Sequence, residues 1–137
     1  MTLRALGYVA LALVVAFGSG WCSGAGGRRA VSAELELTAI RADIADIRAA
    51  TLDARFSLAA SNFGDARRAL QRAVVVATAL ETRLADAGFD ERASAVSQVR
   101  QQLEDADRRS GALDAGAADV AAQALRTLES SIPTTNP

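Results

Sequence analysis

Residues with the side chains that usually carry catalysis are scarce in this sequence. It contains no histidine, the commonest general base and metal ligand in proteins. Its one cysteine, Cys22, therefore has no imidazole to activate the thiol and no second thiol for a disulfide or a multi-cysteine metal site. We expect neither a cysteine nucleophile nor a histidine-based site.

Three groups of carboxylates have spacings that acid–base catalysis or Ca²⁺ binding would use. These are Asp43 with Asp46, Asp90 with Glu91, and Glu104 with Asp105 and Asp107. Each group falls on a polar helix face or at a helix start, where solvated charge is the ordinary explanation. The glycines at 24, 26 and 27 form no phosphate-binding loop, because the lysine and the preceding strand are absent. The sequence therefore predicts that the protein is not an enzyme and binds no metal and no cofactor.

The densest basic patch consists of Arg67, Arg68 and Arg72, and Val75 and Val76 follow on the same helix. Fifteen basic residues against sixteen acidic ones leave a net charge of -1, and no aromatic platform accompanies the arginines. We predict no binding of nucleic acid, because such binding requires a basic field and stacking surfaces. These five residues are the candidate partner-binding residues, with a protein as the expected partner.

The composition favours helices. Half of the residues are hydrophobic, but most of these are alanine and leucine, with only four Phe, one Trp and one Tyr. Alanine loses no side-chain entropy in a helix, so this composition predicts an all-α fold with a thin core. A length of 137 residues corresponds to one modest domain.

Residues 1–27 differ from the rest of the chain. Arg4 is followed by an uncharged run from Ala5 to Gly27, apolar as far as Phe17 and rich in small residues afterwards. A basic start, a short apolar stretch and then small residues are typical of a secretory signal. The whole run is also long enough to span a membrane, because as a helix it extends about 34 Å, against a hydrocarbon layer of roughly 30 Å.

Two interpretations of this segment remain open: a retained signal-anchor that contacts the membrane through residues 5–27, and a cleaved signal peptide. Trp21 suits an interfacial position at the end of a membrane helix. Cys22 is placed as in a bacterial lipoprotein signal, except that Trp21 stands where that signal has a small residue, so the cysteine is either lipidated or an inert thiol. We expect a location in the bacterial cell envelope. The body is periplasmic on a single inner-membrane span, or periplasmic or secreted after cleavage.

From residue 28 to residue 132 the sequence predicts a helical bundle. Its helices are expected at about 31–61, 63–87, 90–110 and 115–131, before a disordered tail at 133–137. The first helix carries a stripe of apolar or small residues in steps of three and four. The stripe comprises Leu37, Ile40, Ile44, Ile47, Thr51, Ala54 and Leu58. Charged residues such as Arg41, Asp43 and Asp46 lie off the stripe and are expected to be solvated.

The stretch SNFGDARRALQRA, from Ser61 to Ala73, joins this helix to the next. Asn62 is a favoured N-cap, and Asp65 suits the positive end of the helix dipole. A second stripe then comprises Phe63, Ala66, Leu70, Ala73, Ala77, Leu80 and Leu84. So short a joint makes the two helices antiparallel neighbours, with Phe63 packed at the joint.

The last two helices follow the same pattern. Gly88 suits the left-handed position that ends the second helix, and Asp90 is expected to cap the third. Ser110-Gly111 is expected to close the third helix. The apolar positions are Ala93, Val96, Val99, Leu103 and Ala106 in the third helix, and Val120, Ala121, Ala124, Leu125, Leu128 and Ile132 in the fourth.

The residues from Leu58 to Ala66, with Leu70 and Ala73, resemble the helix-turn-helix joint of tetratricopeptide repeats over roughly residues 50–75. The resemblance implies that Phe63 and Ala66 pack the hairpin and that a concave face binds a peptide. The layout is also similar to that of membrane-anchored proteins of the HemX type. The predicted fold is thus all-α: an N-terminal hydrophobic anchor or signal helix followed by antiparallel helical hairpins, arranged as an up-down bundle or a short tetratricopeptide-like array.

These features predict a membrane-anchored or exported helical adaptor or scaffold protein. It acts through protein–protein association, including self-association, and not through catalysis. The alternative is a helical-hairpin module that binds a peptide or an apolar small ligand in the cell envelope. Narrow alanine seams favour the first interpretation, because they pack helices closely and leave little room for a cavity.

The first prediction concerns the membrane. Changing Leu13 and Val14 to Arg places two charges in the apolar run, which opposes both insertion and export. Cell fractionation should find the unchanged chain in the envelope and the Leu13→Arg, Val14→Arg variant in the cytosol. Equal amounts of soluble, cytosolic protein for both chains would refute the anchor and the signal peptide alike.

Overall fold

The computed structural model describes residues 34–132, and all regular secondary structure in that range is helical. Four helices hold 88% of these residues, and no strand occurs among them, which confirms the all-α fold. The predicted signal or anchor, Trp21, Cys22 and the tail at 133–137 lie outside the described residues.

The chain divides into two compact units, residues 1–38 and residues 39–137. Of the first unit, residues 34–38 are described. They are helical and exposed, and the Thr38 hydroxyl donates to the Glu34 carbonyl over 2.8 Å. The second unit holds the helical bundle.

The four helices are α1 at residues 34–59, α2 at Phe63–Asp86, α3 at Asp90–Gly111 and α4 at Ala117–Ser131. Short connections of three to five residues join them, so each helix lies beside the previous one in the opposite direction. Among the described residues, no helix is both long enough and apolar enough to cross a membrane.

All three turns use the same backbone geometry. After α2, the Phe89 amide donates to the Leu84 carbonyl over 2.8 Å and the Gly88 amide donates to the Ala85 carbonyl over 3.0 Å. This is a Schellman motif, in which the residue after the helix adopts a left-handed conformation. Gly88 does so with φ of 79°, as the sequence predicts.

The other two turns place ordinary residues in this left-handed position. Ser61, after the end of α1, and Leu113, after the end of α3, each have φ of 58°. The Asn62 amide donates to the Ser57 carbonyl over 2.8 Å, and the Asp114 amide to the Arg109 carbonyl over 2.9 Å. Gly111 is therefore the last residue of α3 and not the residue that turns the chain.

The predicted helix starts are partly correct. The Asn62 side chain caps α2 by accepting a hydrogen bond from the Asp65 amide over 3.2 Å. For α3, however, Phe89 occupies the N-cap position without a side-chain hydrogen bond, and Asp90 is already the first helical residue. Phe89 both closes the Schellman turn after α2 and occupies the N-cap of α3, so the helix already includes the next residue, Asp90.

The core follows the predicted stripes closely. All members of the α2 stripe except the half-buried Phe63 are buried, and so are all members of the α3 stripe. The largest fully buried apolar side chains are Ile47, Leu70, Leu80, Leu84, Val96, Val99, Leu103 and Leu128. Beside the α2 stripe, Val74 and Val76 pack against the core, but Val75 between them is 69% exposed.

Two expectations for single positions of the first helix need correction, whereas the expected packing of Phe63 at the joint is confirmed. Leu37 is exposed, because it lies in the first described turn, ahead of the bundle unit that starts at Ala39. Asp43 is only 20% exposed and forms an ion pair with Arg83 of α2 over 3.4 Å, because it lies on the flank where α1 meets α2. Phe63 does pack at the joint, in a small cluster with Leu58 and Ala117 at one end of the bundle, but it is only half-buried.

Ion pairs between helices show which helices are neighbours. Arg67 of α2 pairs with Asp107 of α3 over 3.3 Å, and Arg48 of α1 pairs with Glu129 of α4 over 3.5 Å. Together with the Asp43–Arg83 pair, these contacts place α1 beside both α2 and α4, while α3 contacts α2. The helices of the second unit therefore form an antiparallel four-helix bundle.

The second prediction compares two apolar residues of α2. Leu70→Ala removes a fully buried side chain and should lower the free energy of unfolding by about 2–5 kcal/mol. Val75→Ala removes an exposed one and should change it by no more than about 0.5 kcal/mol. Urea unfolding followed by circular dichroism measures both. Equal effects would mean that α2 turns a different face to the core.

Candidate partner-binding surface

The solvent-facing side of α2 carries four of the five candidate residues together. Arg68, Arg72, Val75 and Val76 line a shallow hollow of about 510 Å³, together with Gln71. Spacings of three and four residues bring them onto one side of α2, because these residues are neighbours on a helix surface. We call this surface the α2 hollow.

The α2 hollow combines an apolar base with a basic rim. Val76 is half-buried and packs against the core, whereas Val75 is 69% exposed. Arg68 and Arg72 supply guanidinium groups beside these two side chains, and each guanidinium can hold a carboxylate with two parallel hydrogen bonds. The arrangement suits a partner that presents an apolar side chain next to an acidic one.

The intramolecular partners of the rim arginines are exposed at the surface. Arg72 lies 3.8 Å from Asp53 of α1, with side chains that are 62% and 71% exposed. Arg68 pairs with Asp65 in the first turn of α2, also at the surface. Exposed pairs of this kind contribute about 0–1 kcal/mol, so a partner's carboxylate can replace Asp53 at little cost.

Arg67 does not join the α2 hollow. Its side chain reaches across to α3, where it pairs with Asp107 and lies about 3.5 Å from the place that a side chain on Gly111 would fill. Arg67 therefore connects α2 to α3.

In α3, the carboxylates of Glu104, Asp105 and Asp107 are each paired with arginine. Arg100 donates to Glu104 over 2.7 Å and to Glu81 of α2 over 2.9 Å. The hydrogen bond from Arg109 lowers the pKa of Asp105, with a further contribution from Arg108. Over residues 34–132, no cluster of three potential ligands could hold a metal ion.

A second hollow, of about 420 Å³, lies between α2 and α3. It is lined by Thr78, Glu81, Thr82, Ala85, Asp86 and Arg100. Its arginine is already held by Glu81 and Glu104, and these hydrogen bonds raise the pKa of Arg100. This hollow therefore lacks the available cations that the α2 hollow offers.

Sequence reasoning missed one exposed apolar feature, on α1. Phe56 is 79% exposed and Leu52 is also exposed, whereas the opposite side of α1 packs in the core. A second series of apolar residues in steps of three and four runs through Leu52 and Phe56, and this periodicity was the available signal.

Comparison with known proteins adds no relatives. The chain matches no family model, no curated protein and no solved structure. The tetratricopeptide and HemX-type resemblances therefore stay expectations.

The third prediction concerns stability. Arg68→Ala with Arg72→Ala should change the free energy of unfolding by at most about 0.5 kcal/mol, because both side chains are exposed. Arg100→Ala should lower it by about 1–2 kcal/mol, because it leaves the carboxylates of Glu81 and Glu104 without their hydrogen-bond donor. Urea unfolding gives both values. A large loss for the Arg68 and Arg72 variant would make these residues structural.

Proposed function

We propose that this protein is a helical adaptor that holds a protein partner at the cell envelope through the α2 hollow. The observation that carries the proposal is the convergence of Arg68, Arg72, Val75 and Val76 on one side of α2. Neither rim arginine is needed to hold the bundle together, since their intramolecular partners are exposed. Such residues remain available for recognition.

The chemistry of the hollow restricts the partner. Exposed Val75 offers apolar area, and arginine is enriched at the energetic centres of protein interfaces. The partner we propose is a protein segment with a Leu, Ile or Phe beside an Asp or Glu. Because the hollow is open along α2, an extended or helical segment fits it better than an enclosed small ligand does.

The location at the envelope rests on the sequence of residues 1–27. We propose that this segment anchors the chain in the inner membrane, or exports it if it is cleaved, so that the bundle acts in the periplasm. The tetratricopeptide-like joint at residues 50–75 supports a peptide-binding role for the hairpin of α1 and α2. We propose no catalytic step, since the sequence lacks histidine and arginines pair with Glu104, Asp105 and Asp107.

The fourth prediction tests the adaptor by photo-crosslinking in cells of the protein's own source. A photoreactive amino acid at position 75 of the full chain should join it to a partner, giving a discrete adduct. The same group at Gln101, an exposed position of α3, is the matched control and should give none. Adding Arg68→Glu and Arg72→Glu should remove the adduct while the melting temperature stays unchanged.

Two results would contradict the proposal. Equal adducts from positions 75 and 101 would show unspecific proximity. An adduct from position 75 that persists with both glutamates would show that the arginines take no part in binding.

A further inference from the structure

The α1 helix has a second apolar face, directed away from the bundle. It consists of Ala42, Ala45, Ala49, Leu52 and Phe56, and all five are exposed. The steps between them are three, four, three and four, so they lie along one side of the helix. We call this surface the outer face of α1.

Helices α3 and α4 do not share this property. The exposed residues opposite the core include Ser94, Gln98, Gln101 and Arg108 in α3, and Asp119, Gln123, Arg126 and Ser130 in α4. A surface helix normally turns polar residues towards water. Four turns of α1 without a polar residue on the outer face therefore favour contact with a partner.

Charged residues flank this face with one sign on each side. Arg41, Arg48 and Arg55 follow each other at intervals of seven along one flank, and Asp46 and Asp53 are seven apart along the other. Seven residues are almost two helical turns, so each series stays on its own side of the apolar face. In heptad terms the apolar residues occupy the a and d positions, the arginines g and the aspartates e.

We propose that the outer face of α1 binds the outer face of α1 in a second copy of this chain, with the two helices parallel. In a parallel pair, the twofold axis runs along the helices and sets the basic flank of one copy against the acidic flank of the other. Arg41 then faces Asp46 of the second copy, and Arg48 faces Asp53 of the second copy. An antiparallel pair sets arginine against arginine and aspartate against aspartate, which repels.

The flanking charges are able to make these contacts. Asp53 forms an exposed pair with Arg72 over 3.8 Å. Arg48 is half-buried and lies 3.5 Å from Glu129, without a hydrogen bond from its Nε. Exposed pairs hold little free energy and exchange partners readily. Charge therefore selects the orientation, while Leu52 and Phe56 supply most of the apolar area that the dimer buries.

The bundle holds α1 in its helical conformation before any association. The inner side of α1 is already fixed by the core, so pairing does not have to order the helix again. The contact from Ala42 to Phe56 is about 22 Å long, which is short for a coiled coil, and alanines fill its first three positions. The dimer is accordingly weak and dependent on concentration.

This inference does not require the proposed adaptor function, because the outer face of α1 contains no residue of the α2 hollow. The two surfaces are linked through Asp53, which flanks the outer face and pairs with Arg72 on the rim of the hollow. Parallel pairing also puts the starts of both α1 helices on the same side of the dimer. Two α2 hollows on one dimer would let it hold two copies of a partner, whose binding would gain from avidity.

The fifth prediction is tested by disulfide cross-linking of the full chain in a Cys22→Ser background. Ala42→Cys should join two copies upon oxidation, because equivalent positions meet in a parallel pair. Ser94→Cys, on the exposed side of α3, is the matched control and should give only background cross-linking. Phe56→Asp should weaken association at least about tenfold without unfolding the chain, because Phe56 is exposed in the single copy.

Charge reversal separates charge pairing from unspecific apolar contact. Arg41→Asp with Arg48→Asp makes both flanks acidic, and Asp46→Arg with Asp53→Arg makes both basic. Each variant alone should lose the Ala42→Cys cross-link, and a mixture of the two should restore it. Circular dichroism confirms that both variants are folded.

Three results would overturn the proposal. Cross-linking of Ala42→Cys chains only to Ala59→Cys chains would show antiparallel pairing. Cross-linking no stronger than that of Ser94→Cys at every concentration would show that no second copy binds. Quenching of Phe56→Trp fluorescence, in a Trp21→Phe background, by brominated lipids in vesicles would assign the outer face of α1 to a bilayer.

Discussion

Close packing of alanine seams is the constraint on which this bundle depends. Ala66, Ala73 and Ala77 of α2 are fully buried, so their helix can approach its neighbours closely. Each alanine buries little apolar area, however, and the hydrophobic gain scales with that area. The larger side chains must therefore be concentrated where the helices converge. Ile40, Ile44 and Ile47 of α1 supply much of this volume, so α1 is an essential wall of the core.

Alanine seams define the register of two helices poorly, because one alanine replaces another at almost no cost. Ion pairs along the edges remove this ambiguity. Arg67–Asp107 and Arg100–Glu81 fix α2 against α3 at two positions along the helices, and Asp43–Arg83 fixes α1 against α2. The last pair lies 3.4 Å apart without a well-aligned hydrogen bond, so it acts mainly through charge. Arg68 pairs within α2, and Arg72 reaches α1 only through an exposed contact of 3.8 Å with Asp53, so neither has a large part in setting the register.

The sequence predicts which residues form the core, because helical periodicity and burial coincide, as at Ile44, Leu70 and Leu103. It also predicts the turn after α2, because Gly88 can adopt a left-handed conformation that other residues resist. The sequence does not predict the left-handed conformation of Ser61 and Leu113, because these residues disfavour it. The Schellman hydrogen bonds hold them in it. Four of the five candidate site residues come together, because one helix face carries them. Arg67 does not join them, because its side chain pairs with Asp107, forty residues away in sequence. The outer face of α1 was missed because one apolar period had already been assigned to the core.

We infer that α1 uses both of its sides, one for the core and one for a second copy of the chain. Hydrogen exchange of the full chain, measured by mass spectrometry at low and high protein concentration, tests both halves at once. We predict that amides of residues 40–58 are protected like those of α2 at low concentration, and that they alone gain protection as concentration rises. Fast exchange of α1 at low concentration would contradict its place in the core. Protection that does not depend on concentration would contradict its pairing with a second copy.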